Sequence, residues 1–346
     1  MISERLLSVV RCPDCLGQLR GEVRNLTCEK CGRSFTEGTA DYLVLRPSSV
    51  YDETTKFVDD SFHADGRDES VSPPLLSAAV RNNMLRKFLR PGRGDVVLDL
   101  GCGSGRFAVW NLDSGAHFIG VDTGTFFAAE SRASLDLVVG ELRKLPFADG
   151  GITKAYAIDV VEHLSPESLD AMLTEINRVL VPGGSLFLYT HVMQLSPLAP
   201  VLAAIAGVSR AIERAGFADL TVDRLRPTDH LNPLANRAHL GQAAGRAGFR
   251  VERFRYYTPI LSRIAESVFV PIAAHLFARR TSGSAGVDSS ALRAARLEAK
   301  RALAGRGIMY RALRLMTSVV MLDVRLLGRV RSGPFFALLV KRTGSG

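Results

Sequence analysis

Residues 95–105 read DVVLDLGCGSG, and the reading of this stretch decides the fold. The run from Asp95 to Leu100 is short, apolar and β-branched, the pattern of a buried strand that delivers the chain into a glycine turn. Glycines stand at the first, third and fifth places of the loop, as Gly101, Gly103 and Gly105, with Cys102 between the first two and Arg106 in the sixth place. A dinucleotide fingerprint has its glycines at the first, third and sixth places, so this spacing speaks against a pyrophosphate ligand. The loop still lies at the carboxyl end of a strand, where ligands of open α/β sheets bind.

Outward from that loop the periodicity alternates. A helix, LLSAAVRNNMLRKFL, stops at Pro91-Gly92; then come strands VVLDL, HFIGVD, LVVG and AYAID, and SLFLYT after the turn VPGG. Alternation of this kind predicts an α/β fold with a doubly wound, mostly parallel sheet and helices on both faces. The pattern assigns residues 73–260 to this core. Residues 47–72 are polar and acidic with little apolar period, and read as a linker or a flap.

With 346 residues, 47% of them hydrophobic, the chain can bury a large core, which excludes a disordered or fibrous protein. No uninterrupted apolar run reaches about 18 residues, and the start MISERLLSVVRC lacks a secretory pattern, so a cytoplasmic location is expected. Charge is uneven: residues 1–260 carry 29 Lys and Arg against 31 Asp and Glu, whereas 261–346 carry 15 against 4, a net of +11. The basic character therefore belongs to the tail and points to an anionic partner there.

Four of the five cysteines form two knuckles, CPDC and CEKC, with twelve residues between Cys15 and Cys28. In a chain expected to be cytoplasmic, Cys12, Cys15, Cys28 and Cys31 fit a tetrahedral thiolate site for Zn²⁺ better than disulfides. Four thiolates close the coordination sphere, so the zinc would be structural and residues 1–46 would be a small zinc ribbon. Cys102, inside the glycine loop, reads as a small buried residue.

The order VLDLGCGSG, IGVD, GELRKLPFADG, AIDVVEHL and NRVLVPGGSLFL resembles the class I S-adenosylmethionine-dependent methyltransferases, especially their quinone-biosynthesis branch, over about residues 75–260. DHLNPLANRAHLGQAAGRAGF resembles the same branch, where a histidine-containing loop precedes a helix and a strand. The resemblance implies a Rossmann-like methyltransferase fold and S-adenosyl-L-methionine as cofactor. That molecule has no phosphates, so the loop needs only close backbone approach, which Gly101, Cys102, Gly103 and Gly105 would supply. It further implies that Asp99 lies near the methionine amino group and that Asp122, 21 residues after Gly101, accepts the ribose hydroxyls. Glu141, with the Leu142 amide, would face adenine, where most relatives have Asp, and Asp159 would lie beside the sulfonium. Ile152-Thr153 stands where relatives usually have Phe-Asp, a change expected to alter a local contact rather than the cofactor site.

Methyl transfer is an in-line displacement, so the protein must align donor and acceptor and, for a hydroxyl acceptor, remove a proton. His163, His191 and His230 are the candidate bases, all expected at the carboxyl edge. Asp159, Glu162 and His163 also resemble an acidic-x-x-Glu-His pattern associated with a divalent metal in ubiquinone O-methyltransferases, although a helix-start Glu162 is equally explained by the helix dipole.

GPFFALLVKR reads as a final strand, making 332–346 the last strand and tail and 261–331 a basic, amphipathic helical insertion before it. Within GIMYRALRLMTSVVMLDVRLLGRV, Arg311, Arg314, Ser318, Arg325 and Arg329 recur at helical steps, giving a cationic stripe on an apolar helix. TPILSRIAESVFVPIAAHLFARR adds a second apolar helix broken by Pro271. Such helices suit an anionic membrane surface, or pack on the core or on a second subunit. Three functions follow. The first is O-methylation of a small-molecule, isoprenoid or glycolipid acceptor, with the enzyme peripheral at the inner membrane face. The second is RNA methylation, since a four-ligand ribbon ahead of this fold resembles bacterial ribosomal RNA guanine methyltransferases and the tail could meet phosphates. The third is a non-catalytic module that binds the cofactor, or a zinc-ribbon adaptor.

Overall fold

The computed structural model describes residues 2–49, 70–192, 194–216, 230–269 and 307–343. Its first element is a short helix, Glu4–Val9, whose N-cap Ser3 accepts from the Leu6 amide. Strands β1 (Leu19–Glu22), β2 (Asn25–Cys28) and β3 (Ser34–Phe35) then make a small antiparallel sheet that carries the cysteine knuckles. The next strand, β4 (Tyr42–Val44), leaves that sheet. It pairs in parallel with β7 (Asp136–Val139), with Tyr42 opposite Leu137 and Val44 opposite Val139.

The large sheet has eight strands in the order β10-β11-β9-β8-β5-β6-β7-β4, where β5 is Val96–Leu100, β6 His117–Asp122, β8 Ile152–Ile158, β9 Leu180–Thr190, β10 Phe249–Tyr256 and β11 Phe335–Lys341. All pairings from β4 to β9 are parallel, while β11 runs antiparallel to both β9 and β10. The order reverses between β5 and β8, so a crevice opens at their carboxyl ends, directly beside the glycine loop.

Both faces of β5 are buried, and its alternate residues build two cores. Leu98 and Leu100 join Val121, Val138, Ala155 and Leu186 under the helix Pro166–Val179, which supplies Leu169, Met172, Leu173 and Ile176. That helix begins on Ser165, whose hydroxyl accepts from the Ser168 amide, followed by Pro166. On the other face Val97, Phe118, Tyr156, Phe187 and Phe336 meet Val80, Met84, Leu85 and Phe88 of the helix Leu76–Leu89. This helix stops at Arg90, in the left-handed region at φ 50°, just before Pro91.

The first core also contains Leu6, Val10, Cys12, Leu26, Cys28, Leu43 and Leu45. Residues 1–46 thus do not form a separate body: they share a hydrophobic core with the sheet and add a strand to its edge. Composition could not announce this, because β4 is only three residues long. Thr153 staples the amino end of β5, accepting from the Val96 amide at 3.0 Å and donating to Asp95 at 3.0 Å, far from the carboxyl edge.

Most of the sequence-predicted linker, residues 50–69, lies outside the described residues, as does the stretch 270–306 that includes Pro271. The insertion begins with the helix Ile260–Ile264 and a π-helical turn, Ala265–Phe269. It resumes as two helices, Ile308–Val320 and Leu322–Leu327, rather than the continuous helix suggested by the arginine spacing. The break at Met321 places Asp323 under the start of the 260–264 helix, where its buried carboxylate accepts from the Leu261 and Ser262 amides at 2.9 and 2.8 Å. Thr317 in turn accepts from the Leu76 amide at 2.9 Å and ties the insertion to the 76–89 helix.

Candidate cofactor and active site

The three loop glycines all lie in the left-handed region, Gly101 at φ 65°, Gly103 at 51° and Gly105 at 78°. A Cβ on Gly101 would stand 2.6 Å from Val160 Cγ2 and one on Gly105 2.5 Å from Ser131 Oγ, whereas one on Gly103 would meet nothing within 4 Å. The first and third glycines therefore allow the loop to pack on the protein, and the middle one faces open space. Buried Cys102 fills the floor of the turn, with its Sγ 2.9 Å from the place a Gly120 Cβ would take.

Asp122, at the end of β6, reaches back across the loop: Oδ2 accepts from the Gly103 amide at 2.8 Å and Oδ1 from the Gly124 amide at 2.9 Å. A carboxylate accepts at both of its oxygens, which is the chemistry a vicinal diol calls for. Asp99, 3% exposed on β5, accepts from the Tyr156 hydroxyl at 2.7 Å. Burial pushes its pKa up to about 7, with the Asp122 charge adding to the rise and the Tyr156 hydroxyl opposing it. An open-faced glycine, a diol-ready carboxylate and a carboxylate able to meet an ammonium fit the zwitterionic, phosphate-free adenosylmethionine. Glu141 is differently engaged. Arg143 contacts both its carboxylate oxygens, at 2.9 and 3.0 Å, and Leu142 beside it is buried.

At the carboxyl ends of β8 and β9 three histidines meet. His163 follows β8 in a one-turn 3₁₀ helix, His191 follows β9, and His230 approaches from the segment before the helix Arg237–Arg246. The His163 and His230 ring centroids are 5.0 Å apart, and those of His191 and His230 5.8 Å. Asp159, also in the left-handed region at φ 58°, lies 3.9 Å from His191 Nε2, and the Tyr189 hydroxyl is 3.4 Å from the same nitrogen. Burial lowers the His191 pKa to about 4 against the opposing pull of Asp159, so the imidazole is neutral at pH 7.

Glu162 is not a solvated helix-start acid. It is 1% exposed and accepts from Thr190 Oγ1 at 2.7 Å, and burial with the neighbouring Asp159 charge pushes its pKa up to about 8. Ligand atoms of Asp159, Glu162 and His191 lie within 4.8 Å of one another, as do those of Glu162, His163 and His230.

Sequence reasoning missed Arg81. From the 76–89 helix its guanidinium pairs with Asp159 and lies over the Tyr189 ring, 5.4 Å from the centroid.

The four cysteines converge as their spacing predicts. All four Sγ atoms lie within 4.8 Å of one another, with Cys12 and Cys31 at 3.7 Å and Cys15 and Cys28 at 3.4 Å. Tetrahedral Zn–S bonds of about 2.3 Å put sulfurs roughly 3.8 Å apart, so the cluster fits a thiolate-bound zinc. Gly17 makes room for it: a Cβ there would stand 2.7 Å from Cys28 Sγ.

This fold, with its loop and crossing carboxylate, defines a domain of the class I methyltransferase type. More particularly, residues 98–188 match the family described as a methyltransferase domain. The chain is 32% identical over 113 residues to probable tRNA methyltransferase 9B of Mus musculus, covering 32% of this chain and 25% of that protein. It is 32% identical over 117 residues to sterol 24-C-methyltransferase of Saccharomyces cerevisiae, covering 29% and 28%. It is 29% identical over 174 residues to methyltransferase GfsG of Streptomyces halstedii, covering 45% and 61%. The chain thus spans about a quarter of the length of the tRNA methyltransferase relatives it matches. Among solved structures it is similar to the [4+2]-cyclase SpnF, with a TM-score of 0.47 and 18% identity over 84% of this chain and 95% of that one. It is also similar to Haemonchus contortus phosphoethanolamine N-methyltransferase 2 in complex with S-adenosyl-L-methionine, with a TM-score of 0.46 and 15% identity over 86% and 61%.

Proposed function

We propose that this protein is an S-adenosylmethionine-dependent O-methyltransferase whose acceptor is a hydroxyl on an apolar, isoprenoid- or glycolipid-like molecule at a membrane surface. The observation that carries the reading is His191: a neutral imidazole at the crevice, beside a carboxylate and a phenol. The cofactor, when bound, supplies a methyl group activated by sulfonium. An acceptor oxygen would take that methyl group as the carbon–sulfur bond is given up, with S-adenosylhomocysteine as the leaving group. His191 takes the hydroxyl proton, and Asp159 stabilises the imidazolium that results. Asp122 and the glycine loop hold the adenosyl part, Asp99 meets the ammonium, and Arg81 keeps Asp159 oriented.

The insertion supports the choice of acceptor. On the 308–320 helix, Ile308, Leu315 and Val319 recur at steps of seven and four and point outward, Ile308 88% and Leu315 71% exposed, with Arg311 and Arg314 alongside. Apolar side chains between arginines suit the boundary between headgroups and acyl chains. No helix among the described residues is long and apolar enough to cross a membrane.

The test is to incubate the protein with a cell extract and cofactor labelled on its methyl group, then to partition the products. Label in the organic phase is expected, with His191→Ala lowering the rate about 10²- to 10⁴-fold, the ordinary size of general-base catalysis. Label in RNA and none in the organic phase would replace this reading with RNA methylation. No transfer at all, with cofactor binding intact, would leave a binding module.

A further inference from the structure

The loop that follows β7 carries Gly140, Glu141 and Leu142, and the amino-terminal segment grips it on two sides. Along β7, the Leu45 amide donates to Val139 O at 2.8 Å, one residue before Gly140. Arg46 reaches on to the Thr123 carbonyl at 3.2 Å, next to Asp122. From the first cysteine knuckle, the Arg11 amide, adjacent to Cys12, donates to Pro146 O at 2.9 Å, and Val10 bridges Phe147. Asp14, between Cys12 and Cys15, pairs with Arg33 just beyond the second knuckle, accepts from Ser48 at 2.8 Å, and stands 3.7 Å from the Lys144 ammonium. Closing the two knuckles therefore fixes Arg11, Asp14 and Arg33 together. On the core side Arg178 holds the Leu145 and Phe147 carbonyls at 2.9 and 2.7 Å, the Gly140 amide donates to Asp122 O at 2.9 Å and Arg143 reaches Ser168 Oγ at 3.3 Å, so the loop is clamped between the core and the amino-terminal segment.

We propose that the four-cysteine centre positions the cofactor loop: a thiolate-bound divalent cation, by locking the knuckles, sets residues 139–146 through Arg11 and Asp14 and the adjoining Asp122–Thr123 turn through Arg46, and thereby raises affinity for the adenosyl end of the cofactor. This rests on the cofactor reading given above. The two sites are coupled, and coupling between binding sites is reciprocal. Cofactor must then strengthen metal retention by the factor by which metal strengthens cofactor binding.

The experiment compares the full chain loaded with Zn²⁺, stripped by a chelator and refilled, with S-adenosylhomocysteine as calorimetric probe. Stripping is expected to weaken binding about tenfold, within the usual range of inter-site coupling, and refilling to restore it. Saturating S-adenosylhomocysteine should raise Zn²⁺ retention against the chelator by the same factor. Hydrogen exchange should speed up in residues 139–146 while 96–100 and 152–158 keep their protection. Equal affinities in loaded and stripped protein, or exchange that rises evenly across the sheet, would overturn the proposal. Should the stripped chain unfold, Asp14→Ala and Arg46→Ala in the metal-loaded protein decide instead. Each should raise the cofactor KM severalfold more than it lowers kcat, with Arg46→Lys recovering most of the loss, and an unmoved KM in both would overturn the idea. If the loaded protein binds no S-adenosylhomocysteine, the cofactor reading fails, and exchange at 139–146 on stripping still decides the link between metal and loop.

Discussion

The domain carries two additions, one before its first core helix and one inserted before its last strand, and they meet the core in opposite ways. The amino-terminal addition is absorbed: Leu6, Cys12, Leu43 and Leu45 are at most 1% exposed and belong to the same core as β5. The carboxyl-terminal insertion docks through Val320, Val324 and Asp323 but turns Ile308, Leu315, Val319 and Leu326 to solvent. Both are rich in apolar residues, so composition does not separate them. The difference is pairing: β4 completes a sheet edge and satisfies its backbone there, whereas the 308–320 helix satisfies its own backbone and leaves a face over. One addition is therefore built into the core, and the other presents a face to solvent.

Substitutions can break or sharpen that contrast. The largest effect is expected for Leu43→Ala, which should lower the unfolding free energy by about 2–5 kcal/mol in denaturant titration; a much smaller loss would mean that the amino-terminal addition is peripheral. Next, the double change Arg311→Gln and Arg314→Gln should cost about 2 kcal/mol of binding to anionic vesicles, roughly 1 kcal/mol per arginine, with folding intact. Unchanged sedimentation would remove the membrane role from this surface. A third effect tests the core between the two additions, through pH. Asp99, raised from 3.8 to about 7 by burial, must give up its proton to meet an ammonium, so cofactor affinity should fall by up to about tenfold per unit as pH drops below 7 and flatten above 8. The same shift makes the fold less stable as pH rises from about 4 to 7, where the unfolded carboxyl ionises and the buried one resists. A pH-independent calorimetric affinity between 6 and 8 would count against Asp99 as the ammonium partner. The smallest effect belongs to Leu315→Ala, which should change stability by no more than about 0.5 kcal/mol, because its side chain already faces water.

The parts of this molecule that were legible in sequence are those set by local chemistry. The strand DVVLDL, the glycine turn that follows it and the two cysteine knuckles within a 20-residue segment are short-range patterns, and the structure has them where the pattern said. The parts that were not legible join distant segments. Arg81 meets Asp159 across 78 residues, and Glu141 turns to Arg143 instead of staying open, since any nearby guanidinium can take a carboxylate and spacing does not rank the choices. The three histidines were found as separate candidates, but that they touch one another is a property of strand order. The break at Met321 was hidden as well, because the arginine spacing continues across it while Asp323, in the first turn of the second helix, caps another helix.

Strand β4 has a consequence for handling the protein. β7 reads Asp136-Leu137-Val138-Val139 and is buried throughout; β4 covers its outer side with three residues, and β10, at the far end of the sheet, carries Arg250, Glu252, Arg253 and Arg255. Short or charged borders of this kind keep sheets of separate molecules from joining. Cutting the chain back to the methyltransferase-type domain alone would bare an apolar ribbon at one border, and such a fragment should precipitate where the full chain stays dispersed.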